Sequence, residues 1–255
     1  MWIDTHCHVT HGRLLPDAAA VLARARAAGV EAFVCAAGDL DESRAALGLA
    51  HRHDDVYATA GVHPHEAQDA PTDLDGRLRE LAADARNVAV GEIGLDYHYD
   101  FSPRPAQRQV FAAQLDLAVR LGKPVVIHMR EAWADTMAIL RESRVEGPRV
   151  VFHSFTEPPE HAVAALDFGA VISFSGIVTF AKSTDLHETA RLAPAGRVMI
   201  ETDAPYLSPE PVRKQKTNDP AHVVHVGEFL ANLRGVSVEE FARQTTETAR
   251  RVFGL

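Results

Sequence analysis

The chain has 255 residues, 46% of them hydrophobic, and a formal net charge of −9. This length allows one large core and favours a single α/β domain over residues 1–255. The acidic balance excludes a general basic surface for phosphate backbones, so any nucleic-acid contact should be local and centred on a metal. Two cysteines cannot form a disulfide framework, and no signal peptide or bilayer-spanning run is recognisable. We therefore expect a cytoplasmic protein without a membrane partner, and the sequence makes no prediction of oligomeric state.

The chain alternates short β-branched or apolar runs with longer amphipathic runs, the patterns of strands and helices. The short runs predict eight strands, at Trp2–Thr5, Glu31–Ala36, Val56–Val62, Val88–Ile93, Pro124–His128, Val150–His153, Ala170–Phe174 and Val198–Thr202. The long runs predict helices at Asp17–Ala28, Leu40–Arg52, Leu74–Ala85, Pro105–Leu121, Ala132–Ser143, Glu160–Phe168 and Thr184–Leu192. This alternation predicts a single (β/α)8 barrel of TIM type, with an open doubly wound sheet as the alternative. The barrel is preferred because no glycine-rich phosphate loop follows the first strand.

After the eighth predicted strand the chain becomes proline-rich and polar, and it carries the basic segment Arg213–Lys216. We interpret this stretch as a long loop whose cations either guide a phosphate backbone or keep an exposed loop in solution. Two further helices are predicted beyond it, at Pro220–Leu233 and Val238–Phe253, the second with Ser237 as its N-cap.

The first predicted strand ends in His6-Cys7-His8. Side chains alternate along a strand, so Asp4, His6 and His8 share one face while Cys7 turns away as a packing residue. Two imidazoles directed at one point favour a metal site. The motif is weak by itself, since the chain contains 14 histidines.

Further metal-ligand residue types stand at the ends of other predicted strands, where the side chains of a barrel converge. The six predicted ligands are His6, His8, Glu92, His128, His153 and Asp203. Because strand interiors are normally apolar and an unpaired buried charge is costly, this coincidence predicts metal binding. The set exceeds the needs of one tetrahedral ion, which indicates two divalent ions (Zn, Mn or Mg) with Glu92 as a bridging carboxylate.

Two divalent ions beside carboxylates predict a hydrolase with water as the nucleophile. We predict Glu92 and Asp203 as the catalytic carboxylates, with Asp203 also accepting a proton from the attacking water. His63 and His65 are predicted to contact substrate or to support ligands rather than to bind metal directly. Arg130 is predicted to direct its planar guanidinium at a phosphate, the alternative being a surface ion pair with Glu131.

The remaining polar residues near the predicted strand ends receive supporting roles. Tyr206 is grouped with the substrate-binding residues. Glu201 and Asp4 share strand faces with Asp203 and His6, and each either orients a metal ligand or anchors the barrel interior through an ion pair. The first role is favoured for both. Histidines expected to be solvated or structural are His51, His53, His98, His161, His187, His222 and His225.

Six segments resemble the motifs of the TatD family of metal-dependent deoxyribonucleases, in order over nearly the whole chain. They are Ile3–His8, Gly61–His65, Gly91–Tyr97, Val126–Arg130, Phe152–Phe155 and Glu201–Leu207. The resemblance implies a TIM-type barrel, the same six ligands and phosphodiester hydrolysis on DNA, often from an end. It also implies that some relatives remove D-amino acids from tRNA. Departures at Val9–Thr10 and Thr246–Ala249 touch no predicted ligand.

The leading prediction is thus a two-metal deoxyribonuclease that acts on DNA ends or single strands. The alternative is a metal-dependent ester or amide hydrolase, such as a D-aminoacyl-tRNA deacylase, with tRNA as partner. Many two-metal amidohydrolases carry a carboxylated lysine where this chain has Glu92, which favours phosphodiester chemistry. A non-catalytic metal-binding scaffold is disfavoured because the ligand set is intact.

Overall fold

A computed structural model describes residues 1–255 of the chain. The strands are β1 (Trp2–Cys7), β2 (Val30–Cys35), β3 (Val56–Ala60), β4 (Asn87–Asp96), β5 (Val125–Arg130), β6 (Val150–Phe152), β7 (Val171–Phe174) and β8 (Val198–Ile200). The helices are α1 (Ala18–Ala27), α2 (Leu40–Ala50), α3 (Leu74–Ala82), α4 (Arg104–Leu121), α5 (Trp133–Glu142), α6 (Pro159–Phe168), α7 (Thr184–Leu192), α8 (Val223–Arg234) and α9 (Val238–Phe253). Each strand from β1 to β7 is followed by a helix.

The sheet decides between the two predicted architectures. Its strands lie in the order β1 to β8, so neighbours in the chain are neighbours in the sheet. A doubly wound sheet reverses its strand order at one point, where the dinucleotide crevice forms. No reversal occurs here, and the prediction of a (β/α)8 barrel is confirmed.

The contacts divide the chain into two compact units, of which the first comprises Met1–Cys35 and His153–Leu255. In this unit α8 and α9 cover β1. The ring of Trp2 lies 6.4 Å from that of Phe241 on α9. A Cβ at Gly227 on α8 would fall 2.4 Å from the Trp2 ring. The absence of a side chain at Gly227 therefore sets how closely α8 approaches β1.

The second unit, Ala36–Phe152, contains β3 to β6 and the long helix α4. The buried face of α4 includes Gln107 and Gln114, seven positions and therefore two helical turns apart. The Gln114 amide accepts a hydrogen bond from Val62 N at 2.7 Å and donates one to Val62 O at 3.0 Å. Gln107 bonds the backbone N and O of Asp96 in the same way, at 2.9 and 3.1 Å. The helix thus fixes the backbone where β3 and β4 end.

Replacing Gln114 by leucine is expected to lower the free energy of unfolding by about 2 to 5 kcal/mol, because a buried N–H and a buried C=O lose their partners. Urea unfolding followed by circular dichroism measures this change. Gln109→Leu is the matched control, since Gln109 lies on the exposed face of α4. Equal stability of the two variants would show that the Gln114 amide does not support the Val62 backbone.

Some element boundaries differ from the sequence prediction. The fourth strand ends at Asp96 and not at Ile93, since the chain stays extended through Gly94 while Gln107 holds the Asp96 backbone. The helix predicted from Pro220 starts as a 3-10 turn and becomes α-helical at Val223. None of the helices combines the length and apolar character that crossing a membrane requires.

Candidate metal centre

The first unit carries a group of ligand-type residues, here called the His6 cluster, at the C-terminal ends of its strands. Its members are His6, His8, His153, Glu201 and Asp203. His6 Nε2 lies 3.2 Å from His8 Nε2 and 3.8 Å from Asp203 Oδ1. His8 Nε2 lies 3.4 Å from the same Asp203 oxygen. These three residues each offer one ligand atom within 4.8 Å of the others, a spacing that one cation could occupy.

Backbone hydrogen bonds explain why the ends of β1 and β8 bring these residues together. His8 N donates to Ala204 O at 2.7 Å, and Asp203 N donates to His6 O at 2.9 Å. Asp203 has a φ of 53°, a left-handed conformation that aspartate and asparagine tolerate better than most residues. Cys7 is fully buried, in keeping with its predicted packing role.

His153 and Glu201 form the more deeply buried part of the His6 cluster. The His153 ring stacks on that of His6 with centroids 4.0 Å apart. Glu201 Oε1 lies 3.0 Å from His153 Nδ1 and accepts a hydrogen bond from Ser154 N at 2.8 Å. This contact favours the role of orienting a ligand over that of anchoring the barrel.

The second oxygen of Glu201 provides a test of whether a cation fits. Glu201 Oε2 is buried and has no hydrogen-bond partner. A buried carboxylate oxygen without a partner is costly, and a bound cation would remove that cost. Glu201 also forms, with His6 and His153, a second fully buried group whose ligand atoms lie within 4.8 Å of one another. The His6 cluster therefore fits a metal ion.

The charge states of the two aspartates in this region differ. Burial alone would raise the pKa of Asp203, but its hydrogen bond with His8 and the nearby His153 and His6 rings hold that pKa below the usual value. Asp203 is thus an anion at neutral pH. Burial raises the pKa of Asp4 to about 8. Asp4 accepts hydrogen bonds from the Thr202 backbone N at 2.9 Å and from the Thr202 hydroxyl at 2.6 Å, so it ties β1 to the chain after β8.

The second unit carries its own group of ligand-type residues, here called the Glu92 cluster. Its members are His63, His65, Glu92, Asp96 and His128. Glu92 Oε1 lies 3.1 Å from His128 Nδ1 and 3.4 Å from His63 Nε2. His63, His65 and His128 offer ligand atoms within 4.8 Å of one another. Burial lowers the pKa of His63 to about 4, so its imidazole is neutral at pH 7, with Nδ1 accepting a hydrogen bond from His65 N at 3.1 Å and Nε2 facing Glu92.

Asp96 has no role in the sequence prediction, yet it organises the Glu92 cluster. Its Oδ2 lies 2.9 Å from His128 Nε2 and 3.0 Å from His65 Nε2. Burial would raise the pKa of Asp96, but hydrogen bonds from His128, His65 and the Tyr99 backbone N hold it far below its usual range. An anionic Asp96 accepts a hydrogen bond from the Nε2–H of His128, so the lone pair of that ring lies on Nδ1, beside Glu92, which is the usual arrangement behind a histidine ligand.

Sequence periodicity contained a signal for Asp96. Glu92, Gly94 and Asp96 alternate along one strand, so all three share a face. Ending the predicted strand at Ile93 hid this relation.

Gly94 sets the separation of β4 and β5 at the Glu92 cluster. It has a φ of +139°, and a Cβ there would lie 1.9 Å from His128 O. Gly94→Ala is expected to cost about 3 kcal/mol or more of unfolding free energy, from backbone strain and the clash with a ligand-bearing strand. Gly76→Ala on α3 is the control, because its Cβ would meet nothing within 4 Å and alanine favours a helix. Chemical denaturation should show a lower free energy of unfolding for Gly94→Ala and a higher one for Gly76→Ala. An unchanged free energy of unfolding for Gly94→Ala would contradict the prediction.

Of the predicted substrate residues, His63 and His65 belong to the Glu92 cluster itself, while Arg130 and Tyr206 lie outside the two clusters. The Arg130 guanidinium lies 4.8 Å from the Tyr99 ring centroid. The alternative pairing with Glu131 is not formed, since Glu131 contacts His98 Nδ1 at 2.7 Å. In the first unit, the Tyr206 ring is 6.2 Å from that of His8 and is 41% exposed.

A (β/α)8 barrel with histidine and carboxylate clusters at the C-terminal ends of its strands defines a metal-dependent hydrolase. A family model described as TatD related DNase matches residues 3–254. The chain therefore belongs to the TatD-related DNase family, and the resemblance seen in its motifs is confirmed.

Individual relatives agree with this assignment. The chain is 42% identical over 254 residues to the uncharacterized metal-dependent hydrolase YcfH of Escherichia coli K12, covering 98% of this chain and 95% of the relative. It is 38% identical over 257 residues to the 3'-5' ssDNA/RNA exonuclease TatD of Pantoea ananatis, covering 99% of each. The crystal structure of the TatD homologue YJJV from E. coli K12 superposes with a TM-score of 0.93 at 28% identity, covering 100% of this chain and 98% of YJJV.

Proposed function

We propose that this protein is a two-metal phosphodiesterase that removes nucleotides from the ends of DNA, acting on single strands. The observation that carries the proposal is the presence of two separate ligand groups, one in each unit, which together contain all six predicted ligands. Many enzymes that cleave phosphodiesters use two divalent ions, which stabilise the attacking and the leaving oxygen. Relatives named 3'-5' ssDNA/RNA exonucleases support the choice of substrate and extend it to RNA.

In this proposal each cluster holds one divalent ion. His6, His8 and Asp203 offer a mixed nitrogen and oxygen set, with His153 beside them. Glu92 and His128 contribute one oxygen and one nitrogen from the second unit, with His63 beside them as a supporting residue. Such sets suit Zn or Mn, while the carboxylates leave room for Mg. The expectation of a reducing, cytoplasmic location belongs to the same proposal and is consistent with two buried cysteines that form no disulfide.

Divalent ions bound here would lower the pKa of a water molecule and polarise a phosphoryl oxygen. The protein's own residues supply the rest of the reaction. Asp203, anionic at neutral pH, takes the proton of the attacking water. Asp96 holds the His128 ring in one tautomer through its hydrogen bond to Nε2. Arg130 and Tyr206 stand where they can contact the phosphate and the sugar or base of the bound strand.

The proposal is tested by stripping the protein of metal, reloading it separately with Mg, Mn or Zn, and assaying end-labelled DNA. Linear single strands should shorten stepwise, duplexes should be cut more slowly, and circular single strands should stay intact. A D-aminoacyl-tRNA assayed in parallel represents the ester alternative. Intact DNA under all three metals, together with cleavage of the ester, would overturn the nuclease assignment. Asp203→Asn purified in parallel controls for a contaminating nuclease.

A further inference from the structure

An exposed aromatic surface borders the Glu92 cluster. It consists of Tyr99, Phe101 and Arg130, here called the aromatic platform. Tyr99 is 49% exposed and Phe101 is 61% exposed, although both carry large apolar rings. Their rings stack on each other, with centroids 5.1 Å apart and planes 19° apart. The Arg130 guanidinium covers the Tyr99 ring at 4.8 Å.

The platform is continuous with the candidate metal centre. The His65 ring, which belongs to the Glu92 cluster, lies 4.7 Å from the Phe101 ring and 5.7 Å from the Tyr99 ring. Tyr99 and Phe101 follow the end of β4, and Arg130 is the last residue of β5. A ligand bound at the Glu92 cluster would therefore have the aromatic platform beside it.

The segment that carries the platform is held by buried polar contacts, so its rings are positioned in advance. Asp96 Oδ1 accepts hydrogen bonds from His98 N at 3.0 Å and Tyr99 N at 2.9 Å. Ser102, fully buried, donates its hydroxyl hydrogen to His65 O at 2.7 Å. Flanking acids are already paired, Asp100 with Arg104 and Glu131 with His98. Arg104 thereby partly neutralises the charge of Asp100 near an incoming strand.

We propose that the aromatic platform stacks a nucleobase of a single-stranded substrate next to the phosphodiester that is cleaved. The inference rests on the proposed function and names the part of the substrate that the site recognises. Every base offers a flat π face, and base–aromatic stacking strengthened by arginine is a sequence-tolerant way to bind single strands. A base inside a duplex is already stacked between its neighbours and cannot occupy the platform.

The net charge of the chain favours such a contact. With a net charge of −9, the protein lacks the general positive surface by which most nucleases hold phosphates. Stacking at a few local rings provides binding that does not depend on that surface. In this proposal the platform lets an acidic protein prefer single strands over duplexes.

Binding of two phosphorothioate hexamers, which resist cleavage, tests the inference on the metal-loaded protein. One is a thymidine hexamer, and the other has the same backbone with abasic residues. By fluorescence anisotropy the thymidine hexamer should bind about tenfold more tightly, as expected for one or two stacked bases. Tyr99→Leu combined with Phe101→Leu should reduce the preference to about twofold or less, although leucine keeps apolar surface.

Tyr57→Leu is the matched control. Tyr57 also packs under an arginine, with Arg86 4.5 Å from its ring, but it lies at the start of β3, at the opposite end of the strands. This variant should keep the full preference for bases. With cleavable DNA, the platform variant should raise KM about tenfold and change kcat little, because the rings bind substrate in this proposal and their contact with the Glu92 cluster is through His65, which is not among the proposed metal ligands.

Equal affinity of wild-type protein for the two hexamers, or an unchanged preference in the platform variant, would overturn the inference. Failure of the proposed function gives a different result. If the wild-type protein prefers the thymidine hexamer but leaves unmodified DNA intact under every metal, base stacking at the platform is supported and the nuclease assignment fails. Thermal unfolding of each variant confirms that the exposed substitutions leave the fold intact.

Discussion

Asp203→Asn is expected to lower kcat for single-stranded DNA by about a thousandfold or more. The amide cannot take a proton from the attacking water, and loss of a positioned general base alone costs about 10²- to 10⁴-fold. It also removes a negative charge from the group formed with His6 and His8, whose nitrogens lie 3.8 and 3.4 Å from Asp203 Oδ1. Steady-state cleavage of an end-labelled strand at saturating metal measures the effect.

The fold of this variant should persist, because asparagine adopts the left-handed conformation of Asp203 as readily as aspartate does. Circular dichroism and thermal unfolding therefore serve as controls on the same samples. Asp185→Asn is the matched variant, since Asp185 is an exposed aspartate in the first turn of α7 in the same unit. A kcat for Asp203→Asn within tenfold of wild type would remove Asp203 from the proposed chemistry.

Glu92→Gln is expected to lower metal content by about one ion per chain and to reduce activity at least about a hundredfold. Glutamine keeps the volume of the side chain and one acceptor oxygen but lacks the charge that a cation needs beside His128 and His63. Elemental analysis of the dialysed protein gives the stoichiometry. The same substitution should reduce the gain in unfolding free energy on metal loading, since a ligand present at 100 times its Kd contributes about 2.7 kcal/mol.

The metal-free form of Glu92→Gln should unfold within about 3 °C of metal-free wild type, because no packing is lost. Glu80→Gln, an exposed glutamate on α3, should match wild type in metal content, activity and Tm. If the metal-free variant instead unfolds far below wild type, Glu92 serves chiefly as a structural partner of His63 and His128. Full metal content would exclude Glu92 as a ligand.

The sequence predicted the strands and the positions of the polar residues that end them. His6, His8 and Asp203 stand at or just after the ends of β1 and β8, as periodicity placed them. The prediction succeeded because strands of alternating pattern are defined locally, and a charged residue where apolar ones are usual is visible without a structure. Arg130 was left between a phosphate contact and an ion pair with Glu131 or a nearby acid, and its contact with the Tyr99 ring was not predicted.

Residues that act through backbone contacts could not be found in this way. Gln107 and Gln114 are ordinary polar residues of a helix until the ends of β3 and β4 are brought against them. Both glutamines satisfy backbone groups of other segments, and sequence periodicity carries no information about such partners. Asp96 differs, because its alternation with Glu92 was visible in the sequence and only the predicted strand end at Ile93 hid it.

By itself, the sequence determined the fold class, the family and the residue types available to bind metal, because these follow from local periodicity and from motifs that span a few residues. Only the tertiary structure decided which atoms meet. It directed His128 Nε2 at Asp96, left Glu201 Oε2 without a partner, and stacked Tyr99 on Phe101. Such contacts depend on where side chains and backbone segments lie to within a few tenths of an ångström. Packing of the whole fold fixes those positions.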